Sequence, residues 1–384
     1  MTPKKKENED RQEEIVLLAG GTGGHIFPAQ ILAEAFESRG IKTLFMTDQR
    51  GRVYLKKEAP FKVHVLEMTT GSFLKRLWGI LKNVRRLLKL FKLKKPKIVI
   101  GFGGYPSAPG ALAALFLRVP LGLHEQNSVL GRVNRLLLPF SKILFLTFPK
   151  THKIPVSLIR FLSIKKKVVG PLVRSEIEHV EREVSYLSQK RDASGKFQML
   201  VLGGSQGSLS LTEGILKGLV HVRPKIRAQL FITFQSPETA RERVQDELYR
   251  LGISHEVASF FTDMGRRLSK AHLMVSRAGS STVGESLATC LPTIFVPLSS
   301  AMDDHQTKNA TFIAFGGGGW MIPQNDMFSE KSAQLIEYLF ENPKELQKAS
   351  LNLSKMYRAG ALEKILESVD VFLKGRHKEK DFLI

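Results

Sequence analysis

Short apolar runs closed by turn residues alternate along this chain with longer stretches of helical period. EEIVLLAGG reads as a strand entering a loop, FPAQILAEAFESRG as a helix that stops at Gly40, and KTLFMTD as the next strand; KPKIVIGFGG, VPLGLHE and SKILFLTF continue the series. Near residue 170 the pattern begins again with FQMLVLGGSQG, AQLFITF, AHLMVSRAG and LPTIFVPL. Strands alternating with helices predict parallel sheets covered by helices. The expected architecture is α/β, with two Rossmann-like doubly wound domains in tandem and a joint near VVGPLVR. The expected boundaries are a disordered tail at 1–14, an N-terminal domain at 15–168, a C-terminal domain at 169–345, and a last helix and tail at 346–384 that can fold back on the first domain. A length of 384 residues exceeds the usual size of one core and agrees with two.

Three strand ends run into glycine-rich loops: AGGTGG, GFGGYPSAPG and LGGSQGS. In open α/β sheets ligands lie beyond the carboxyl ends of the strands, where such loops fall. Glycine admits positive φ and close backbone approach, and a helix starting just afterwards favours phosphate. None of the loops has the lysine of a nucleoside triphosphate loop. Gly21 and Gly23 fit a dinucleotide fingerprint, and Asp48 stands about where a ribose-binding acid belongs, but Ile26 occupies the third glycine position. A nicotinamide enzyme therefore stays only as an alternative. A sugar nucleotide, with diphosphate, ribose, base and hexose, uses all three loops if it lies between two domains. SRAGSSTVGESLA adds a fourth element: Ser280, Ser281 and Thr282 can cap a helix or bind phosphate. Glu285 can hold a ribose diol or simply sit favourably near a helix N-terminus.

Net charge is +22, and it is concentrated: residues 71–167 carry 20 Lys or Arg against one acid, Glu125. Within them, LKRLWGILKNVRRLLKLFKLKK places Leu74, Leu77, Trp78, Leu81, Val84, Leu88 and Phe91 at helical steps among cations such as Arg85 and Lys89. Surplus Ile80, Leu87 and Leu90 imply more than one apolar face. A basic amphipathic helix with Trp, Leu and Phe suits an anionic membrane surface, although part of the stripe must pack on its own sheet. Nucleic acid is not expected, since no binding motif appears and aromatics are sparse among the cations. No apolar run reaches the length of a membrane span, the N-terminus has no secretory pattern, and the lone Cys290 reads as a buried thiol.

GGTGGHIFPA, GFGGYPSAPG, LHEQNSVLGRVNRLL, VLGGSQGS, SRAGSSTVGESLA and DDHQTKNA, in this order, resemble the MurG family of UDP-N-acetylglucosamine transferases over about residues 15–325. The resemblance implies a GT-B fold with its active site in the cleft between the domains. It also implies inverting transfer of N-acetylglucosamine to the 4-hydroxyl of the muramoyl unit of an undecaprenyl-diphosphate-linked muropeptide (lipid I), giving lipid II for peptidoglycan. The enzyme would sit peripherally on the cytoplasmic face of the cell (inner) membrane. By position, Thr22, Gly23 and Gly24 would lie beside donor sugar and diphosphate, with Gly103, Gly104 and Tyr105 in the loop beside them. Asn127 would contact the sugar, and Gly204, Ser205 and Gln206 would take the diphosphate. Phe261 would offer its backbone to uracil, Glu285 would hold the ribose, and Gln306 would read a sugar hydroxyl. Arg174 matches a family arginine, but Gly170-Pro171-Leu172-Val173-Arg174 has its proline shifted by one from the family pattern, which puts its reach in question.

For the acceptor's proton, His25 is the first candidate base, because an unperturbed imidazole titrates near neutral pH; it can instead organise the loop. Glu125 is the rival, or an ion-pair partner that orders HEQN. The chain has no D-x-D pair, and adjacent Asp303 and Asp304 make a poor metal site. No cofactor and no tightly bound catalytic metal are expected, which leaves helix N-termini, amides and hydroxyls to stabilise the leaving diphosphate.

Overall fold

Strands buried on both faces read as unbroken apolar runs, and that is how the centres of two separate sheets arise here. The computed structural model describes residues 15–178, 180, 195–203 and 208–374. The expected tail at 1–14 and the candidates Gly204, Ser205 and Gln206 lie outside the described residues.

The first sheet contains β1 (Ile15–Leu18), β2 (Thr43–Asp48), β3 (Lys62–Leu66), β4 (Ile98–Gly101), β5 (Leu121–Glu125), β6 (Ile143–Leu146) and β7 (Lys165–Val168), all parallel, in the order β3-β2-β1-β4-β5-β6-β7. The order reverses between β1 and β4, so the first two glycine loops emerge side by side at the switch point. The second sheet repeats the plan with β8 (Phe197–Leu202), β9 (Leu230–Gln235), β10 (Ser254–Ala258), β11 (Leu273–Ser276), β12 (Thr293–Phe295) and β13 (Gly319–Met321), in the order β10-β9-β8-β11-β12-β13.

Alternation along the strands gives each sheet two cores. In the first, Ile15, Leu17, Phe45, Ile98 and Ile100 face the Gly23–Ser38 and Ala361–Leu373 helices. Val16, Leu18, Val99, Leu123 and Leu144 face the layer formed by the Phe73–Lys94, Ala108–Phe116, Arg132–Leu137 and Val156–Phe161 helices.

Three boundaries differ from expectation. The helix after β1 begins at Gly23 rather than Phe27, because the Thr22 carbonyl already accepts from His25 N at 3.0 Å and Ile26 N at 3.2 Å. The second compact unit runs from Val173 to Ala359, starting later than residue 169. The Pro343–Met356 helix belongs to that second unit, so the chain returns to the first unit at Gly360 rather than at 346. Gly360 turns with φ +71°, and Ile365, Leu366 and Val369 then enter the first core. Lys97 Nζ donates to the Leu373 carbonyl, and Lys167 Nζ donates to Lys364 O at 3.1 Å and Ser368 Oγ at 3.0 Å, fixing that helix.

Among the described residues no helix is long and apolar enough to cross a membrane. The 22-residue Phe73–Lys94 helix divides along its length. Val84, Leu87 and Phe91 are buried, whereas Leu74, Leu77, Trp78 and Leu81 are exposed, with Arg85 and Lys89 exposed among the buried turns. The predicted stripe is thus a core face in its second half and an uncovered apolar face in its first.

Candidate active site

Asp48 organises the first loop. Its Oδ1 accepts from Gly21 N and from Gly51 N, each at 3.0 Å, and its Oδ2 pairs with Arg50 Nε at 2.9 Å. Burial opposes the charge, but the Gly21 amide, Arg50 and the Gly51 amide outweigh it and hold the carboxyl below its ordinary pKa. Asp48 is 3% exposed, so the acid suggested for a cofactor ribose is consumed in holding its own loop.

The second loop locks onto the first. A Cβ on Gly20 would meet Pro106 Cβ and Cγ at 2.6 Å, and one on Gly104, whose φ is +79°, would meet the Gly20 carbonyl at 2.8 Å. Ser107 Oγ donates into the same junction, with Leu18 O at 3.1 Å and Gly103 O at 2.5 Å. These glycines serve loop-on-loop contact as well as any ligand. Tyr105 turns outward, and its hydroxyl donates to the Arg76 carbonyl at 3.0 Å, which ties the loop to the uncovered half of the basic helix. Burial raises the phenol's pKa, and Arg76 acts against it.

His25 lies half-buried in the first turn of the Gly23–Ser38 helix, behind exposed Thr22 and beside Gly23 and Gly24. Its Nδ1 is 3.3 Å from Thr22 Oγ1. Its Nε2 and the Asn134 amide nitrogen both stand 3.5 Å from where a Cβ on Gly103, with φ +87°, would be, so the imidazole rests against the second loop. Pro28, inside the same helix, cannot donate the amide that would bond the Gly24 carbonyl.

Glu125 departs from the expectation of a base. It is 2% exposed, and each carboxylate oxygen takes two hydrogen bonds from its own loop. Oε1 accepts from Asn127 N at 3.0 Å and Asn127 Nδ2 at 3.3 Å; Oε2 accepts from Gly131 N at 2.8 Å and Asn134 Nδ2 at 2.9 Å. Burial raises its pKa, and those four donors act in the other direction. Its partners are amides rather than the cation expected of an ion pair, and they shape HEQN and aim Asn127. Beside it, His124 is fully buried, stacked on Phe102 at 5.0 Å, and held through Nδ1 by Gln126 Oε1 at 3.3 Å. Gln126 Nε2 in turn donates to Phe102 O at 2.6 Å. Burial depresses the His124 pKa to about 4. His25, Gly103, Asn134, Glu125 and Asn127 thus form one connected cluster at the carboxyl ends of β1, β4 and β5.

In the second unit, the Arg174 guanidinium lies 3.5 Å from Oε1 of the candidate Glu285 and 3.0 Å from Glu176 Oε1. Burial raises the Glu285 pKa while Arg174 lowers it. Glu285 sits on the Ser280–Ala288 helix, whose N-cap is Gly279 and whose Ser281 Oγ is buried with no hydrogen-bond partner. Phe261 buries its ring under the Arg267 guanidinium, 3.9 Å from the ring centre. Gln306 Oε1 accepts from Leu298 N at 3.0 Å, following Asp303 and Asp304, which both take left-handed φ of 55° and 54°.

Sequence reasoning passed over Arg277, whose signal was a cation closing an apolar strand. It is 6% exposed, and its Nη2 donates to Ser208 Oγ at 2.9 Å and Ser210 Oγ at 2.8 Å while its Nη1 donates to Val296 O at 3.0 Å. Burial lowers its pKa. It fixes the far flank of the third glycine loop, where Ser208 caps the Leu209–Val220 helix. Arg277→Met or Arg277→Lys is expected to cost about 1–3 kcal/mol by leaving several of these acceptors unpaired, measured by urea unfolding. Asn309, fully buried and donating to Ala278 O at 3.1 Å, was likewise missed within DDHQTKNA.

Each unit is a Rossmann-type parallel sheet, and in the first the glycine-rich loops stand at the carboxyl ends of the strands, where such sheets bind ligands. Residues 15–145 match the Glycosyltransferase family 28 N-terminal domain, and residues 198–365 match the Glycosyltransferase family 28 C-terminal domain. The chain belongs to glycosyltransferase family 28. It is 36% identical over 352 residues, 91% of this chain and 96% of the relative, to the UDP-N-acetylglucosamine–N-acetylmuramyl-(pentapeptide) pyrophosphoryl-undecaprenol N-acetylglucosamine transferase of Rickettsia bellii. The crystal structure of Acinetobacter baumannii MurG is similar with a TM-score of 0.77 and 27% identity, covering 94% of this chain and 99% of that one. The UDP-GlcNAc 2-epimerase of Neisseria meningitidis, solved bound to UDP-GlcNAc, shares the fold at 15% identity and a TM-score of 0.64, covering 94% of this chain and all of that one, 100%.

Proposed function

We propose that this chain is an inverting transferase that moves N-acetylglucosamine from UDP-N-acetylglucosamine to the 4-hydroxyl of the muramoyl unit of lipid I, forming lipid II. The observation that carries the reading is 36% identity across 91% of the chain to a transferase named for that reaction. The candidate residues support it. As the acceptor oxygen attacks the anomeric carbon, its proton passes to His25; the bond from that carbon to the UDP oxygen breaks, and UDP leaves with the electron pair. Glu125 acts as a positioning residue, holding Asn127 and Asn134 in place. In the second domain Glu285, set by Arg174, takes the ribose, Phe261 presents backbone to the base, and Gln306 reads the sugar. The N-terminus of the Ser280–Ala288 helix supplies amides for the diphosphate.

The lipid-linked acceptor requires access to a bilayer, and the uncovered half of the Phe73–Lys94 helix, with Leu77, Trp78 and Leu81, supplies a basic amphipathic surface for it. The enzyme in this reading is peripheral, on the cytoplasmic face of the membrane. Incubation with UDP-N-acetylglucosamine and a lipid I analogue is expected to yield UDP and the disaccharide in equal amounts. Consumption of the sugar nucleotide without acceptor would mark an epimerase instead, and nicotinamide reduction without sugar transfer would mark an oxidoreductase.

A further inference from the structure

We propose that Leu136, Phe140, Val156 and Phe161 form a second membrane foothold on the first domain, separate from the Phe73–Lys94 helix and selective for anionic lipid. The inference rests on the membrane reading above and extends it to a part of the chain with no amphipathic signature of its own.

These four side chains are 75%, 60%, 60% and 85% exposed. Single exposed apolar residues are ordinary; several on adjoining elements are not. The Leu138–Phe140 turn packs beside the Val156–Phe161 helix. Their buried neighbours Leu137, Leu138 and Ile159 enter the same core as Leu87 and Phe91 of the basic helix. Both groups therefore belong to one helical layer on one side of the first sheet, with the Ala108–Phe116 helix between them in chain order and Phe116 exposed at its end.

The charge around the cluster selects the occupant. Residues 131–168 contain nine Lys or Arg and no Asp or Glu, and Lys142, Lys150, Arg160 and Lys166 are exposed. A protein interface core is depleted in lysine, whereas apolar side chains ringed by cations match an anionic bilayer. The uncovered half of one helix leaves binding weak and leaves rotation about its axis undetermined. A second, separated contact strengthens attachment by linkage and fixes the orientation of the domain.

The test uses the full-length protein and vesicles of phosphatidylcholine with or without cardiolipin. Phe140→Ser with Phe161→Ser is expected to weaken sedimentation with cardiolipin vesicles by about tenfold or more, with an unchanged melting temperature, because two exposed aromatics lose their insertion. In a Trp78→Phe, Phe161→Trp variant, brominated acyl chains are expected to quench the introduced indole, with half-buried Trp320 as a constant background. Quenching of Trp78 in the wild type, with none at position 161 and unaltered sedimentation of the double serine variant, would overturn the second foothold and leave the helix reading intact. A dimer that the serine variant dissociates, with vesicle binding unchanged, would assign the patch to a second copy of the chain. No vesicle binding by the wild type would remove the membrane reading itself and this inference with it.

Discussion

His25→Ala is expected to lower kcat by about 10²–10⁴-fold, the usual contribution of a positioned base. The geometry separates a base from a structural histidine. Thr22 Oγ1 lies 3.3 Å from Nδ1 and orients the ring, and the Gly103 backbone closes one side of it. His25→Gln retains hydrogen-bonding capacity but cannot take a proton in the working pH range. A base therefore predicts that both variants are comparably slow and that the acid limb of the pH profile of kcat disappears. A loop organiser predicts that glutamine restores most of the rate with the profile unchanged, and that result would remove His25 from the chemistry. KM for the sugar nucleotide is expected to change much less than kcat, because the missing proton transfer belongs to the transition state.

The second large effect is on stability. His124 has its pKa depressed from 6.5 to about 4 by burial, so between those values the unfolded chain takes a proton that the folded chain refuses. The sign follows directly: this contribution is present above pH 6.5 and is lost as pH falls toward 4, on the order of 3 kcal/mol in all. Glu125 acts the other way, since its raised pKa removes stability as pH rises past its ordinary value of 4.5. The His124 contribution is therefore isolated by comparison with His124→Asn. Urea unfolding from pH 7.5 to 4 is expected to show a steep acid loss in the wild type and a flatter slope in the variant. Parallel pH dependence of the wild type and His124→Asn would contradict the buried neutral imidazole.

Central strands were legible because they are buried on both sides. The strands that pattern alone did not resolve, β3, β7, β10 and β13, are the four sheet edges. Two of them, Lys62–Leu66 and Lys165–Val168, carry lysines on mostly exposed positions and lack the apolar run that marks a centre. The site showed a similar division. The glycine loops and the HEQN segment could be found by eye, because backbone geometry and polarity at strand ends are local properties. The task of Glu125 could not be read, since whether a carboxylate meets substrate or its own loop depends on Gly131 and Asn134, further along the chain. Asp48 misled for the same reason: an acid ending the second strand looks alike whether it binds a ribose or the amide of Gly21. Arg277 was hidden inside a motif noticed for its serines.

The return of residues 361–373 to the first domain sets an order of synthesis. Ile365 and Val369 are fully buried against strands made some 250 residues or more earlier. Domains ordinarily complete themselves in the order in which they leave the ribosome. Here the second domain can finish before the first, one of whose faces stays open until residues 361–373 have emerged. A premature stop just before Gly360 would therefore damage the domain made first, uncovering the apolar face that carries Ile15, Phe36 and Ile98.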